Sequence, residues 1–201
     1  DRSVSRGLGD VYKRQDRYCD FSIRFKRPRI SGVTAPLRPY NSTLQPQLRT
    51  VFSMSHPTIR GSLVALITPF NEDGSVNFDK LSALLDFHLA NCTDALVILG
   101  TTGESSTMSH EEDNAVCEYT VKRVAGRIPI IAGSGSNSTQ TMLEKSLSYE
   151  RLGADGLLLI TPYYNKTNEE GMYLHFKTVA DAVKIPCILY NVPGRTGCSI
   201  S

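Results

Sequence analysis

The chain has 201 residues, 40% of them hydrophobic and 21% charged, with 15 glycines and 10 prolines. That composition supplies one domain with a core and excludes a mini-protein, a collagen and bulk disorder, and no apolar run approaches the roughly 18 residues a membrane helix needs. The net charge of +2 conceals two unlike segments: residues 1–60 carry twelve Lys/Arg against four acids, and residues 61–201 carry ten against sixteen.

The segment 1–57 is basic, proline-scattered and without helical or strand periodicity, so it is expected to be a disordered extension outside the fold. Its arginines are diluted by Pro, Ser and Thr with no aromatic-interleaved face, which argues against a nucleic-acid partner. Two explanations remain open: upstream sequence ahead of a true start at Met54, which we favour, and an organelle transit peptide. The expected location is cytoplasmic, or plastid or another organelle if the second holds. Five widely spaced cysteines without a C-x-x-C pair suit a reducing compartment and neither a disulfide framework nor a zinc ribbon.

From residue 58 to 201 short apolar runs alternate with amphipathic ones. Strands are predicted at 63–67, 95–99, 128–131, 156–160 and 187–190. Between them Leu81, Leu84, Leu85 and His88 share one helical face, and Tyr173, Phe176, Ala180 and Val183 another. Ser109 with Glu112, and Thr167 with Glu170, have capping-box spacing, and Gly153 suits a helix stop. Asp94-Ala-Leu-Val-Ile-Leu99 is echoed by Asp155-Gly-Leu-Leu-Leu-Ile160, and Arg127-Ile-Pro-Ile-Ile131 by Lys184-Ile-Pro-Cys-Ile188. Each echo skips one βα unit, as alternate strands of a barrel would. The expected fold class is α/β: a TIM (β/α)8 barrel represented by about five βα units.

Polar, glycine-rich sequence follows every strand: Thr68-Pro69-Phe70, Gly100 to Ser105, Gly133 to Asn137, Thr161 to Asn165 and Tyr190 to Gly197. All five clusters fall on one rim, where a barrel carries its chemistry, whereas an open sheet would favour one switch point. No dinucleotide fingerprint, P-loop, G-x-S-x-G or zinc-protease pattern is present, and none of the four histidines lies in a rim motif. The rim offers hydroxyls, amides and a guanidinium instead. Thr101 and Thr102, in a glycine-bracketed turn before a helix, can hold a small carboxylate through N–H and hydroxyl groups. Tyr163, Tyr164 and Tyr190 supply phenols for proton relay, and Arg195 can bind a second carboxylate through its planar fork.

On these motifs, in this order and at this spacing, residues 61–201 resemble the dihydrodipicolinate synthase and N-acetylneuraminate lyase family of class I aldolases. The resemblance implies condensation of pyruvate with L-aspartate 4-semialdehyde in lysine biosynthesis, through a Schiff base on a lysine of the sixth strand. It implies that Thr101 and Thr102 hold the pyruvate carboxylate, and that the Thr101 hydroxyl links Tyr190 to Tyr164 in a proton relay. Tyr164 would come from a partner subunit, Tyr190 would protonate and position the Schiff base, and Arg195 would bind the semialdehyde carboxylate. No cofactor, metal or membrane is implied, and the whole enzyme is expected to be a homotetramer built as a dimer of dimers. The chain reaches Ser201 before a sixth strand, so it is expected to lack the final three βα units and the nucleophilic lysine, and to be inactive alone. Of Lys80, Lys122, Lys145, Lys166, Lys177 and Lys184, only Lys166 is expected near the rim. Two alternatives are a sibling lyase acting on a sugar acid, against which Arg195 argues, and a non-catalytic protein that binds pyruvate or a full-length partner.

Overall fold

A computed structural model describes residues 61–200, so the basic extension expected over 1–57 lies outside the described residues. Five parallel strands, β1 (Leu63–Ala65), β2 (Ala95–Ile98), β3 (Ile130–Gly133), β4 (Gly156–Ile160) and β5 (Cys187–Tyr190), alternate with helices. The helices are α1 (Phe78–Ala90), α2 (His110–Val124), α3 (Thr139–Leu152), α4 (Glu169–Ala182) and the single turn α5 (Pro193–Thr196). The strands pair in sequence order with no reversal. A doubly wound sheet would reverse at a switch point, so consecutive order is the progression of a (β/α)8 barrel.

The sequence echo corresponds to a repeated bracket at the N-terminal ends of the strands. The Asp94 carboxylate accepts the Ser62 N–H at 2.6 Å while the Asp94 N–H donates to Ser62 O; Asp155 does the same with Ile130, at 2.9 and 2.8 Å. Both prolines of the second echo contribute carbonyls: Pro129 O accepts from Leu96 N at 3.0 Å and Pro186 O from Leu157 N at 2.9 Å. An aspartate and an X-Pro step thus satisfy backbone groups that the ladder leaves over at each strand start.

Proline also explains a boundary. β3 begins at Ile130 rather than 128, because Pro129 has no N–H to donate, and it runs on to Gly133. β1 is shorter than predicted, ending at Ala65 before the turn at Thr68-Pro69. The middle strands β2 and β3 are buried almost throughout, which is why they read as continuous apolar runs. At the two edges Ile67 and Leu189 are about half exposed, at 52% and 48%.

The helices lie against the sheet through conventional caps. Asn77 caps α1, which buries Leu81 and Leu85; Ser109 and Glu112 form the predicted capping box of α2. Gly153 closes α3 in the left-handed region at φ 96°. α4 departs from the prediction in two ways. Its N-cap is Asn168, whose side chain accepts the Gly171 N–H at 2.7 Å, not Thr167. Its buried face is Met172, His175, Phe176 and Val179, while Tyr173 and Ala180 are exposed. Both rows of residues have helical spacing and Phe176 belongs to both, so periodicity alone cannot choose between them. The choice is made where α4 meets the start of α3, with His175 Nδ1 at 2.7 Å from Thr139 Oγ1.

Candidate active site

The C-terminal rim is built around the turn that follows β2. Leu99 takes the left-handed conformation at φ 57°, which is uncommon for a residue with a side chain, and turns the backbone sharply. Gly103 N then donates to Gly100 O at 3.0 Å and Glu104 N to Thr101 O at 3.2 Å, closing a tight turn with Thr101 and Thr102 at its head. The turn is clamped from two sides. Buried Thr68, after β1, donates its hydroxyl to Gly103 O at 2.7 Å. Gly133 at the end of β3 lies so close beneath that a Cβ there would stand 2.4 Å from Leu99 O and 3.0 Å from Gly100 N. The glycine is required by that close approach.

The loops after β4 and β5 are tied to each other. Thr161 N donates to Tyr190 O at 3.3 Å, and the Thr161 hydroxyl donates to Thr196 Oγ1 at 3.1 Å in a buried contact. Thr196 is the residue after Arg195, so the guanidinium leaves from a fixed point. Tyr164 sits at φ 69° and its side chain is 95% exposed, projecting away from the body of the chain.

A cavity of about 470 Å³ opens on this rim, with Thr101, Tyr190 and Arg195 among its lining residues together with Ser105, Asp113 and Lys145. The structure therefore brings together four of the six rim residues named from the sequence, Thr101, Tyr163, Tyr190 and Arg195, on one cavity. Thr102, half-buried in the same turn, and the outward Tyr164 are not in its lining. Tyr163 lines it in place of its neighbour.

Lys145 corrects the expectation that only Lys166 approaches the rim. Lys166 is exposed, whereas the Lys145 ammonium reaches the cavity from α3 and pairs with Asp113 of α2 at 2.8 Å, both side chains nearly buried. Ser105 completes the group: Lys145 Nζ donates to Ser105 Oγ at 2.8 Å, and Ser105 Oγ donates to Asp113 Oδ2 at 2.9 Å. Burial pushes the Asp113 carboxyl above the usual aspartate range, opposed by the Lys145 ammonium and the Ser105 hydroxyl. Behind this group the Cys117 thiol is pushed up to about 12 by burial and by the Asp113 carboxylate, which leaves it an inert core residue.

A signal for the pair was present in the sequence. Asp113 falls in register with the buried Val116, Cys117 and Thr120, and Lys145 beside Met142, Ser146 and Tyr149. Opposite charges at core-facing positions of consecutive helices mark a buried ion pair.

Parallel βα units in consecutive order, with hydroxyls and a guanidinium around a cavity on the C-terminal rim, define the (β/α)8-barrel class and make that cavity the candidate site. A profile of the Dihydrodipicolinate synthetase family matches residues 58–201, and the chain belongs to that family. It is 58% identical over 141 residues to 4-hydroxy-tetrahydrodipicolinate synthase 1 of Clostridium acetobutylicum, covering 70% of this chain and 48% of the relative. The crystal structure of dihydrodipicolinate synthase from Aquifex aeolicus superposes with a TM-score of 0.69 at 51% identity, over 70% of this chain and 48% of that one. The chloride-inhibited dihydrodipicolinate synthase of Acinetobacter baumannii, solved with pyruvate, gives 0.70 at 49% identity, over 72% and 50%. The chain spans about half the length of the curated relatives it matches.

Proposed function

We propose that residues 61–201 form the pyruvate- and semialdehyde-binding half of a 4-hydroxy-tetrahydrodipicolinate synthase, a class I aldolase that condenses pyruvate with L-aspartate 4-semialdehyde. The observation that carries this reading is the clamped Thr101–Thr102 turn opening on the cavity that Tyr190 and Arg195 also line. The turn offers the N–H and hydroxyl donors a pyruvate carboxylate needs, and Arg195 provides a planar fork for a second carboxylate.

In the proposed reaction a lysine amine adds to the pyruvate ketone and water leaves, giving a Schiff base. Loss of a proton from the pyruvate methyl gives the enamine, whose carbon bonds to the aldehyde carbon of the semialdehyde while the aldehyde oxygen takes a proton. In this proposal Tyr190, at the end of β5, delivers and collects those protons through Thr101, with Tyr164 reaching from a partner subunit of a homotetramer to close the relay. The outward, 95% exposed side chain of Tyr164 supports that last assignment, since it lies outside its own cavity lining. Of the lysines in the described residues only Lys145 lines the cavity, and its ammonium is held by Asp113, so the nucleophile is assigned to the part of the barrel beyond β5.

A chimera tests the proposal: residues 61–201 continued by the second half of the Clostridium acetobutylicum relative. It should condense pyruvate with the semialdehyde and be trapped covalently by borohydride in the presence of pyruvate, and Arg195→Ala should depress semialdehyde turnover far more than pyruvate binding. Preferential turnover of a sugar acid, or equal loss of both properties in Arg195→Ala, would overturn it.

A further inference from the structure

The Lys145–Asp113 pair has no part in the chemistry proposed above, yet it borders the cavity. As a stabilising device it is a poor choice, because desolvating two charges offsets most of their attraction and apolar side chains of similar volume generally do as well. What apolar side chains cannot do is engage a hydroxyl from both directions. Ser105 Oγ accepts from the Lys145 ammonium and donates to the Asp113 carboxylate, so its donor hydrogen and one lone pair are both committed. Ser105 is the first residue after the Gly100–Glu104 turn, itself buried, and it opens the 3₁₀ turn Ser105–Thr107 that leads into α2.

The turn is therefore fixed at both ends. Its entry is set by the backbone contact of Leu99 with Gly133 and by Thr68 on Gly103; its exit is set by Ser105, gripped between one residue of α2 and one of α3. We infer that Lys145 and Asp113 are positioning residues: acting through Ser105, they fix the place of the Thr101–Thr102 turn and so the affinity of the site for a small carboxylate. The inference rests on the proposed pyruvate role of that turn.

The test uses the 201-residue chain with pyruvate as the ligand and three variants: Ser105→Ala, Lys145→Met and Lys145→Arg. Affinity is read by titration and amide exchange is read residue by residue. Ser105→Ala and Lys145→Met should each weaken pyruvate binding roughly tenfold and speed exchange at residues 101–105 by a similar factor, with the amides of β3 unchanged. Lys145→Arg, which retains a cationic donor, should recover at least part of both. Exchange at 101–105 that stays at the parent rate, or that rises equally in the turn and in β3, would overturn the inference. If Lys145→Met does not fold, Ser105→Ala, which leaves the ion pair in place, decides alone. If the parent chain shows no response to pyruvate, the functional reading fails, and the exchange pattern still decides whether the pair fixes the turn.

Discussion

Gly133→Ala is a demanding perturbation of the candidate site because it adds one methyl group where the backbone of the turn leading to Thr101 and Thr102 passes. The new Cβ would meet Leu99 O at 2.4 Å, Leu99 C at 2.8 Å and Gly100 N at 3.0 Å, all backbone atoms. An ordinary contact at ~3.4 Å requires a relative shift of about 1 Å between the end of β3 and the Leu99–Gly100 peptide. Overpacking on this scale costs about 1–3 kcal/mol. A misplacement of about 1 Å in a positioning element can lower a site's effectiveness by about 100-fold. Thermal unfolding and pyruvate titration of Gly133→Ala should therefore show a melting point lower by several degrees and a disproportionate loss of binding. Gly194→Ala provides the control, since a Cβ there meets nothing within 4 Å, and its melting point should stay at the parent value. A Gly133→Ala variant that melts and binds like the parent would refute the clamped-turn reasoning.

Two further outcomes follow from local structure. Ser109→Ala removes the capping box of α2, in which Glu112 N donates to Ser109 Oγ at 3.2 Å and Ser109 N to Glu112 Oε2 at 2.9 Å, and should cost about 1 kcal/mol in denaturant melts; an unchanged midpoint would show the cap to be idle. His175 is buried, and burial lowers its pKa below 6.5 against an opposing hydrogen bond to the Ser136 backbone, so the folded state favours the neutral ring. Its contribution to stability is full above pH 6.5 and is lost as pH falls through the lowered value. His88 shifts in the same direction for the same reason. Melts between pH 7.5 and 5 should fall more steeply for the parent than for His175→Phe, and equal slopes would contradict the assignment.

Much of the architecture was legible because buried parallel strands are apolar on both faces, and the order of βα units leaves few alternatives. The echoes around Asp94 and Asp155 carried more than periodicity, since each aspartate closes the same backbone bracket. Legibility failed where two readings share a pattern: Thr167 and Asn168 are both able caps, and two rows of α4 have equal helical spacing. The candidate site residues Thr101, Tyr190 and Arg195 stood out as polar groups at the end of an apolar run or a few residues beyond it. Lys145 did not, because its role depends on Asp113 on another helix, and a single-helix reading treats each charge as solvated surface. The outward turn of Tyr164 depends on a positive φ that no residue type there announces.

The central claim is that the Thr101–Thr102 turn is a carboxylate site for pyruvate, and residue-resolved amide shifts of the isotope-labelled 201-residue chain titrated with pyruvate test it most directly. Saturable shifts should centre on the amides of Thr101 and Thr102, extend to the Tyr190 and Arg195 segment across the cavity, and disappear in the Thr101→Val, Thr102→Val double variant. Saturable shifts centred elsewhere, or a double variant that binds pyruvate as the parent does, would contradict it.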